Sequence, residues 1–297
     1  MHYIGRFAPS PTGSLHFGSL VAAVASYLEA RTHQGLWLLR MEDLDTPRTM
    51  PGAADAILAS LEAFGFQWDG SILQQSRRTA YYAEVFERLK ASGLVYPCAC
   101  TRKEIADSAV QGIEGAVYPG TCRNGLMPGR TARAWRIMTE DAPASFNDDI
   151  QGVTHQNLAR DIGDFVLKRA DGLFAYQLAV VADDAAQGVT HVVRGADLLD
   201  STPRQIYLQH LLQLPTPQYA HVPVAVNAAG EKLSKQTKAR ALDNAHPAAA
   251  LWMALDFLGQ HPPAALQRTT TAEVWQWALA NWQPVRIARV RALTFNG

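Results

Sequence analysis

The 297-residue chain holds three cysteines, no long apolar run and no net charge, with 27 Lys and Arg against 27 Asp and Glu. Each shortage excludes something. Three cysteines are too few for the disulfide framework of a small secreted domain. All lie between Cys98 and Cys122, a clustering that suits metal binding in a reducing compartment. No stretch approaches the about 20 apolar residues of a bilayer-spanning helix. The start, MHYIGRFAPSPTG, lacks a charged opening followed by an apolar core, so no signal peptide is expected. Together these features read as cytoplasmic. Balanced charge excludes a uniformly basic nucleic-acid coat protein and leaves a local basic face open. Hydrophobic residues make 48% of the chain and charged residues 18%. That composition excludes disordered, collagenous and coiled-coil chains. The length allows roughly two domains, or one large domain with an insertion.

What is present reads as alternating strands and helices. Tyr3 to Phe7 is a short apolar stretch that runs into a Pro-, Ser- and Gly-rich loop, Ala8 to Gly13. From about Gly18, Leu20, Val21, Val24, Ala25 and Leu28 recur at helical spacing. Leu36 to Leu39 is a solid apolar run, as in a buried parallel strand, and leads to the acids of Arg40 to Asp45. Helices are expected over Ala53–Phe64 and Thr79–Ser92. This order implies a doubly wound α/β core, with ligands at the carboxyl ends of the strands. From Cys98 to Arg160 the pattern breaks into short β-like pieces such as Ala134–Met138, as expected of an insertion. Strand signals resume at Phe165–Leu167, Tyr176–Val181 and Thr190–Val193. Helices follow over Pro203–Leu212, Ala248–Leu258 and Thr271–Ala280. The expected organisation is a first core half (1–97), an inserted subdomain (98–162), a second core half (163–240) and a short helical region (241–297).

Two constellations carry chemistry. The first is Arg6-Phe-Ala-Pro-Ser-Pro-Thr-Gly-Ser-Leu-His16-Phe-Gly18-Ser19. Pro9 and Pro11 stiffen the loop, Gly13 and Gly18 admit close backbone approach, and a helix start there favours an anion. The loop is neither a dinucleotide fingerprint nor a P-loop. The second is Glu231-Lys232-Leu-Ser234-Lys235-Gln236 after Gly230, whose lysines and hydroxyl suit a polyphosphate. Either alone has a plain alternative: an exposed histidine at a helix start, or a solvated lysine loop.

Together, His-x-Gly and Lys-x-Ser-Lys resemble the signature pair of class I aminoacyl-tRNA synthetases; nucleotidylyltransferases share a weaker form. Arg6–Gly13, Arg40-Met-Glu-Asp-Leu-Asp-Thr-Pro-Arg48, Tyr176–Asp184 and Val193–Leu198 resemble the glutamyl-tRNA synthetase core in order and spacing over residues 4 to 240. Two departures stand out. Ser19 replaces a common His or Asn, and Lys-Leu-Ser-Lys-Gln replaces Lys-Met-Ser-Lys-Ser. Only about 60 residues follow Lys235, too few for an anticodon-reading helical region. On that ground the chain resembles the truncated paralogues, the glutamyl-Q tRNA(Asp) synthetases.

The resemblance implies activation of L-glutamate by ATP and transfer to the queuosine base at the wobble position of tRNA(Asp). His16 would bond phosphate oxygens and Lys235 would neutralise the triphosphate with Mg2+. Pro9, Gly18, Ser19, Lys232 and Ser234 complete the ATP site. Arg6 and Arg194 would face the γ-carboxylate and Glu42 the α-amine, with Ala8, Ser10 and Tyr176 around them. For any one of these residues alone, a strand-end ion pair is the plain alternative. Cys98, Cys100 and Cys122 suit structural tetrahedral zinc. The resemblance points to Tyr118 as fourth ligand, with water, Glu114 and Asp107 as rivals and three free thiols as the plain alternative. Arg123, Arg130, Arg133, Arg136, Arg286, Arg289 and Arg291 are candidate phosphate contacts for the anticodon loop. Rival readings are a minimal synthetase acting on tRNA 3′ ends, a small-molecule nucleotidylyltransferase and a catalytically silent tRNA-binding paralogue.

Overall fold

Short apolar strands alternate with helices in the computed structural model, which describes residues 2–108, 110–113, 115–233 and 241–295. Strand β1 (Ile4–Phe7) runs into the Pro-rich loop and then helix α1 (Phe17–Thr32). Strand β2 (Leu36–Met41) returns parallel to β1, pairing Ile4 with Leu36 and Phe7 with Leu39. Gly35 makes the return possible: a Cβ there would sit 2.4 Å from the Tyr3 carbonyl oxygen. Helix α2 (Ala53–Ala63), strand β3 (Leu73–Gln74), helix α3 (Thr79–Ala91) and strand β4 (Val95–Cys98) follow, with β3 parallel to β2.

The next segment is made of short pieces. These are helix α4 (Arg102–Ser108), the two-residue strands β5 (Gln111–Gly112) and β6 (Gly115–Ala116), and strand β7 (Ala134–Ile137). A hairpin, β8 (Pro143–Asp148) and β9 (Gly152–Asn157), and one helical turn, α5 (Leu158–Asp161), complete it. Then come strand β10 (Phe165–Lys168), helix α6 (Tyr176–Ala186), strand β11 (His191–Gly195), helix α7 (Thr202–Leu212) and strands β12 (Gln218–Val222) and β13 (Val224–Val226). Helices α8 (Pro247–Phe257) and α9 (Thr271–Asn281) and strand β14 (Ala292–Thr294) end the described chain.

The parallel strands meet in the middle. β11 lies beside β1, where the Thr190 N–H donates to the Ile4 carbonyl at 2.9 Å. β12 pairs parallel with β11, and β8 joins β12 where Tyr219 faces Asp148. Order therefore runs outward in both directions from β1 and β11, which makes their carboxyl ends the switch point where ligands bind in such sheets. β7 separately pairs antiparallel with β4 and β10.

Two apolar cores flank this arrangement. In one, α1 is wedged between the sheet and α8–α9, so Leu20, Val21, Ala23, Val24, Ala25 and Leu28 are all buried. The other joins α3, α6 and α7 to β4, β7 and β10. β14 pairs parallel with β13, and Phe295 beyond it stacks on Phe17 with ring centroids 3.6 Å apart.

One element differs from the sequence reading: Tyr176–Val181 is helix α6, not a strand. Gln177 to Asp184 are all buried, because α6 is packed on several sides. A short, continuously apolar run has no periodicity with which to tell a buried helix from a buried strand.

Leu28 is fully buried where α1 crosses the sheet. Leu28→Ala should therefore cost about 2–5 kcal/mol of unfolding free energy, read from equilibrium urea denaturation. A change below 0.5 kcal/mol would show that α1 does not pack as described.

Candidate active site and thiol cluster

β1, β2 and β11 end at one cleft, and their carboxyl ends supply its floor. The cavity, about 460 Å3, is lined by Arg6, Ala8, Pro9, Ser10, His16, Gly18, Ser19, Glu42, Tyr176, Arg194 and Lys232. Every expected ATP- or glutamate-site residue within the described chain thus lines the same space. Ser234 and Lys235 lie outside the described residues.

One end of the cavity is ionic. Arg6 and Arg40 both donate to Oδ1 of Asp184, at 3.3 and 2.5 Å, and all three side chains are buried. Glu42 leaves β2 with its N–H bonded to the Pro9 carbonyl at 3.0 Å, which ties the two strand ends together. Its Oε1 lies 3.6 Å from Arg40 Nε and is buried with no hydrogen-bond partner among the described residues. Burial pushes its pKa up to about 7, against the pull of Arg40. A buried acceptor without a donor is costly unless a ligand supplies one. Across the cavity, Arg194 Nη1 donates to Tyr176 Oη at 3.3 Å. Its Nε donates to His221 Nε2 at 3.0 Å.

The other end suits phosphate. His16 is the N-cap of α1: its Nδ1 accepts the Ser19 N–H at 3.3 Å, which leaves the proton of a neutral ring on Nε2. Gly18 sits in a tight space, where a Cβ would come within 3.2 Å of the His16 ring and 3.4 Å of the Leu233 carbonyl oxygen. The lysine segment is therefore held against the first motif. The Leu233 N–H donates to Ala225 O at 2.8 Å, and Ala241 bridges His16. Lys232 pairs with Asp197 at 2.5 Å.

Sequence reasoning gave no role to Arg40, Asp184, Asp197, His221 or Asp148. The available signals were a charge at the end of an apolar run for Arg40 and acids within one, Asp183-Asp184, for Asp184. Of the arginines proposed for RNA, several already hold protein partners. Arg123 grips Asp164 through two bonds of 2.6 Å, Arg130 pairs with Glu104 at 2.8 Å and Arg291 with Asp200 at 2.8 Å. Arg133 and Arg289 are exposed.

Cys98, Cys100 and Cys122 converge, with all three sulfurs within 4.8 Å of one another. Cys100 Sγ lies 3.6 Å from both Cys122 Sγ and Tyr118 Oη, and Cys98 Sγ 3.3 Å from that oxygen. Zinc–sulfur bonds of about 2.3 Å put tetrahedral sulfurs about 3.8 Å apart, close to the 3.6 Å between Cys100 and Cys122, so the three thiols could share a metal ion. Arg136 backs the group, its guanidinium 4.0 Å from the Tyr118 ring centroid and its Nε donating to Cys98 Sγ at 3.4 Å. Asp107 does not join the cluster, and Glu114 lies outside the described residues.

A parallel sheet opened at its switch point, with a histidine-capped helix facing a lysine segment there, defines a class I tRNA synthetase catalytic domain. The family model for tRNA synthetases class I (E and Q), catalytic domain, matches residues 4–276. The chain is 61% identical over 287 residues to the glutamyl-Q tRNA(Asp) synthetase of Aromatoleum aromaticum, covering 97% of this chain and 91% of that one. Identity to the protein of that name from Dechloromonas aromatica is 63% over 282 residues, 94% of each chain. The crystal structure of glutamate-tRNA synthetase from Elizabethkingia anophelis shares the fold, with a TM-score of 0.81 at 23% identity over 100% of this chain and 68% of that one. The chain belongs to the class I E and Q synthetase family and, within it, to the glutamyl-Q tRNA(Asp) synthetases.

Glu42 gives this site a pH signature. Its folded pKa of about 7 lies above the ordinary 4.5, so between those values the folded chain keeps a proton that the unfolded chain releases. Stability should therefore fall as pH rises through that window, by on the order of 2 kcal/mol. In Glu42→Gln that component should vanish. Urea unfolding at pH 5 and pH 7.5 reads it, and parallel losses in both proteins would place the Glu42 carboxyl in water.

Proposed function

We propose that this chain activates L-glutamate with ATP and transfers the glutamyl group to the queuosine base at the wobble position of tRNA(Asp). One observation carries the reading: buried arginines, a buried carboxyl oxygen without a partner among the described residues and a histidine-capped helix start share one cavity. Charge supports glutamate. Arg6, Arg40 and Arg194 against Asp184 and Glu42 leave one positive charge when all are ionised, and glutamate brings one net negative charge. The γ-carboxylate would lie between Arg194 and Tyr176 with Arg6 behind them, and the α-ammonium would donate to Glu42. Glutamine would leave Arg194 without a charge partner.

In the first step an α-carboxylate oxygen attacks the α-phosphorus in line, and the bond to the departing pyrophosphate breaks. No covalent enzyme intermediate forms. The chain contributes position and charge: the His16 Nε2–H and the α1 amino end toward phosphate oxygens, with Gly18, Ser19, Lys232, Ser234 and Lys235 around the nucleotide. A divalent cation such as Mg2+ would share the negative charge of the triphosphate. In the second step a hydroxyl of the queuosine cyclopentene ring attacks the glutamyl carbonyl carbon, and AMP leaves.

The thiol cluster would hold zinc through Cys98, Cys100, Cys122 and Tyr118. With four protein donors the site has no open position, so its role is to staple residues 98–162 onto a core made of 1–97 and 163–240. Within the region 241–297, α8 and α9 pack on α1. Arg133, Arg286 and Arg289, exposed and in no ion pair among the described residues, would be the arginines to meet RNA phosphate. A reducing, cytoplasmic setting would keep these thiols available to a metal ion.

ATP–pyrophosphate exchange that depends on glutamate but not on tRNA tests the first step. Transfer to tRNA(Asp) with queuosine, and not to tRNA(Asp) lacking it, tests the second; label at the 3′ end instead would reject the acceptor. Arg194→Ala should raise the KM for glutamate by about 10-fold or more, as expected for a lost charge-assisted bond. Metal analysis should find about one zinc per chain, lost with Cys98→Ser together with protease resistance of residues 98–162. Equal zinc in both proteins would remove Cys98 from the ligand set.

A further inference from the structure

We propose that the buried Asp148–His221 pair is a positioning device: it aims the Arg194 guanidinium into the cavity without neutralising it, and so sets affinity for a carboxylate side chain. The inference deepens the activity proposed above and rests on it.

Three strands bring the pair together. His221 lies on β12 beside Arg194 on β11, and Asp148 ends β8 on the far side. Both His221 and Asp148 are buried. Asp148 Oδ2 is 2.5 Å from His221 Nδ1, while its Oδ1 accepts backbone N–H groups of Ile150, Gln151 and His221 at 2.9–3.1 Å. The carboxylate cannot turn without losing these bonds. It accepts only, so the imidazole proton sits on Nδ1 and Nε2 keeps its lone pair. That lone pair receives the Arg194 Nε–H at 3.0 Å, an arrangement open only to a neutral ring. Burial supports the same state, holding the His221 pKa down at about 4 against the pull of Asp148.

The rest of Arg194 is fixed by neutral acceptors as well. Nη2 donates to Thr202 Oγ1 at 2.9 Å and to the Leu198 carbonyl at 3.3 Å. Nη1 meets Tyr176 Oη, and Arg194 and Tyr176 both line the cavity. Among the described residues no carboxylate lies within 4 Å of the Arg194 guanidinium nitrogens. Arg6 differs, because Asp184 already compensates it. A carboxylate at position 221 would orient Arg194 equally well but spend its charge within the protein. A neutral imidazole, held by a more distant carboxylate, orients it and leaves the charge for the substrate.

The test uses glutamate-dependent ATP–pyrophosphate exchange by the full chain, with three variants. His221→Leu removes the acceptor. It should raise the KM for glutamate about 10-fold, lower kcat less than about 3-fold and leave the KM for ATP within about 2-fold. His221→Gln offers a neutral amide oxygen to Arg194 and should return the glutamate KM to within about 3-fold of the parent. Asp148→Asn, which keeps the shape, should give an intermediate rise and serves if His221→Leu does not fold. An unchanged glutamate KM in the folded variants would overturn the proposal. So would equal losses in the Leu and Gln variants, or KM values for ATP and glutamate that rise together. No glutamate-dependent exchange by the parent chain would overturn the activity and this role together, whereas an active parent with insensitive variants overturns this role alone.

Discussion

The cleft is organised around one carboxylate, Asp184, held between Arg6 and Arg40 inside the protein. Three charges removed from water are tolerable only if each is satisfied at close range, and deleting one would strand the others. The triad also spans the fold: Arg6 is on β1, Arg40 on β2 and Asp184 on α6. It fixes the two strand ends relative to the helix that begins with Tyr176. Everything that faces the cavity from those elements inherits its position from this contact.

The cavity as a whole then follows an economy of charge. Asp184 offsets Arg6 and Arg40, and Lys232 is paired with Asp197. Glu42 is half-way to neutral near pH 7 because burial disfavours its anion. Arg194 differs in its partners: its fixed acceptors are all neutral, a histidine nitrogen, two hydroxyls and a carbonyl. The selectivity proposed for the site thus depends on how the protein distributes countercharge, not on how many arginines surround the ligand.

Much of this was legible in the sequence. Local chemistry marks the Pro-rich loop, the α1 start and the Arg40–Asp45 acids, because stiff prolines, a helix cap and a strand-to-loop change leave short-range signatures. The apolar runs at Leu36–Leu39 and Thr190–Val193 proved to be strands. Tyr176–Val181 was misread since its helix is buried on several sides and shows no polar stripe. Asp148 and His221 carry no local signal at all. They are 73 residues apart, and only the pairing of β8 with β12 makes them neighbours. The thiol cluster was visible as cysteine spacing, but the nearness of Tyr118 to its sulfurs depends on the tertiary path of the segment.

The pairing of β14 with β13 has a consequence for how the cavity is braced. β13 leads directly into the lysine segment, and Phe295 stacks on the first residue of α1. The amino- and carboxyl-terminal stretches are therefore partners in building one wall. Neither β14 nor Phe295 lines the cavity, so they act from behind it, bracing β13 and the start of α1, which do. A change at Phe295 would therefore reach the cavity indirectly, through the amino end of α1.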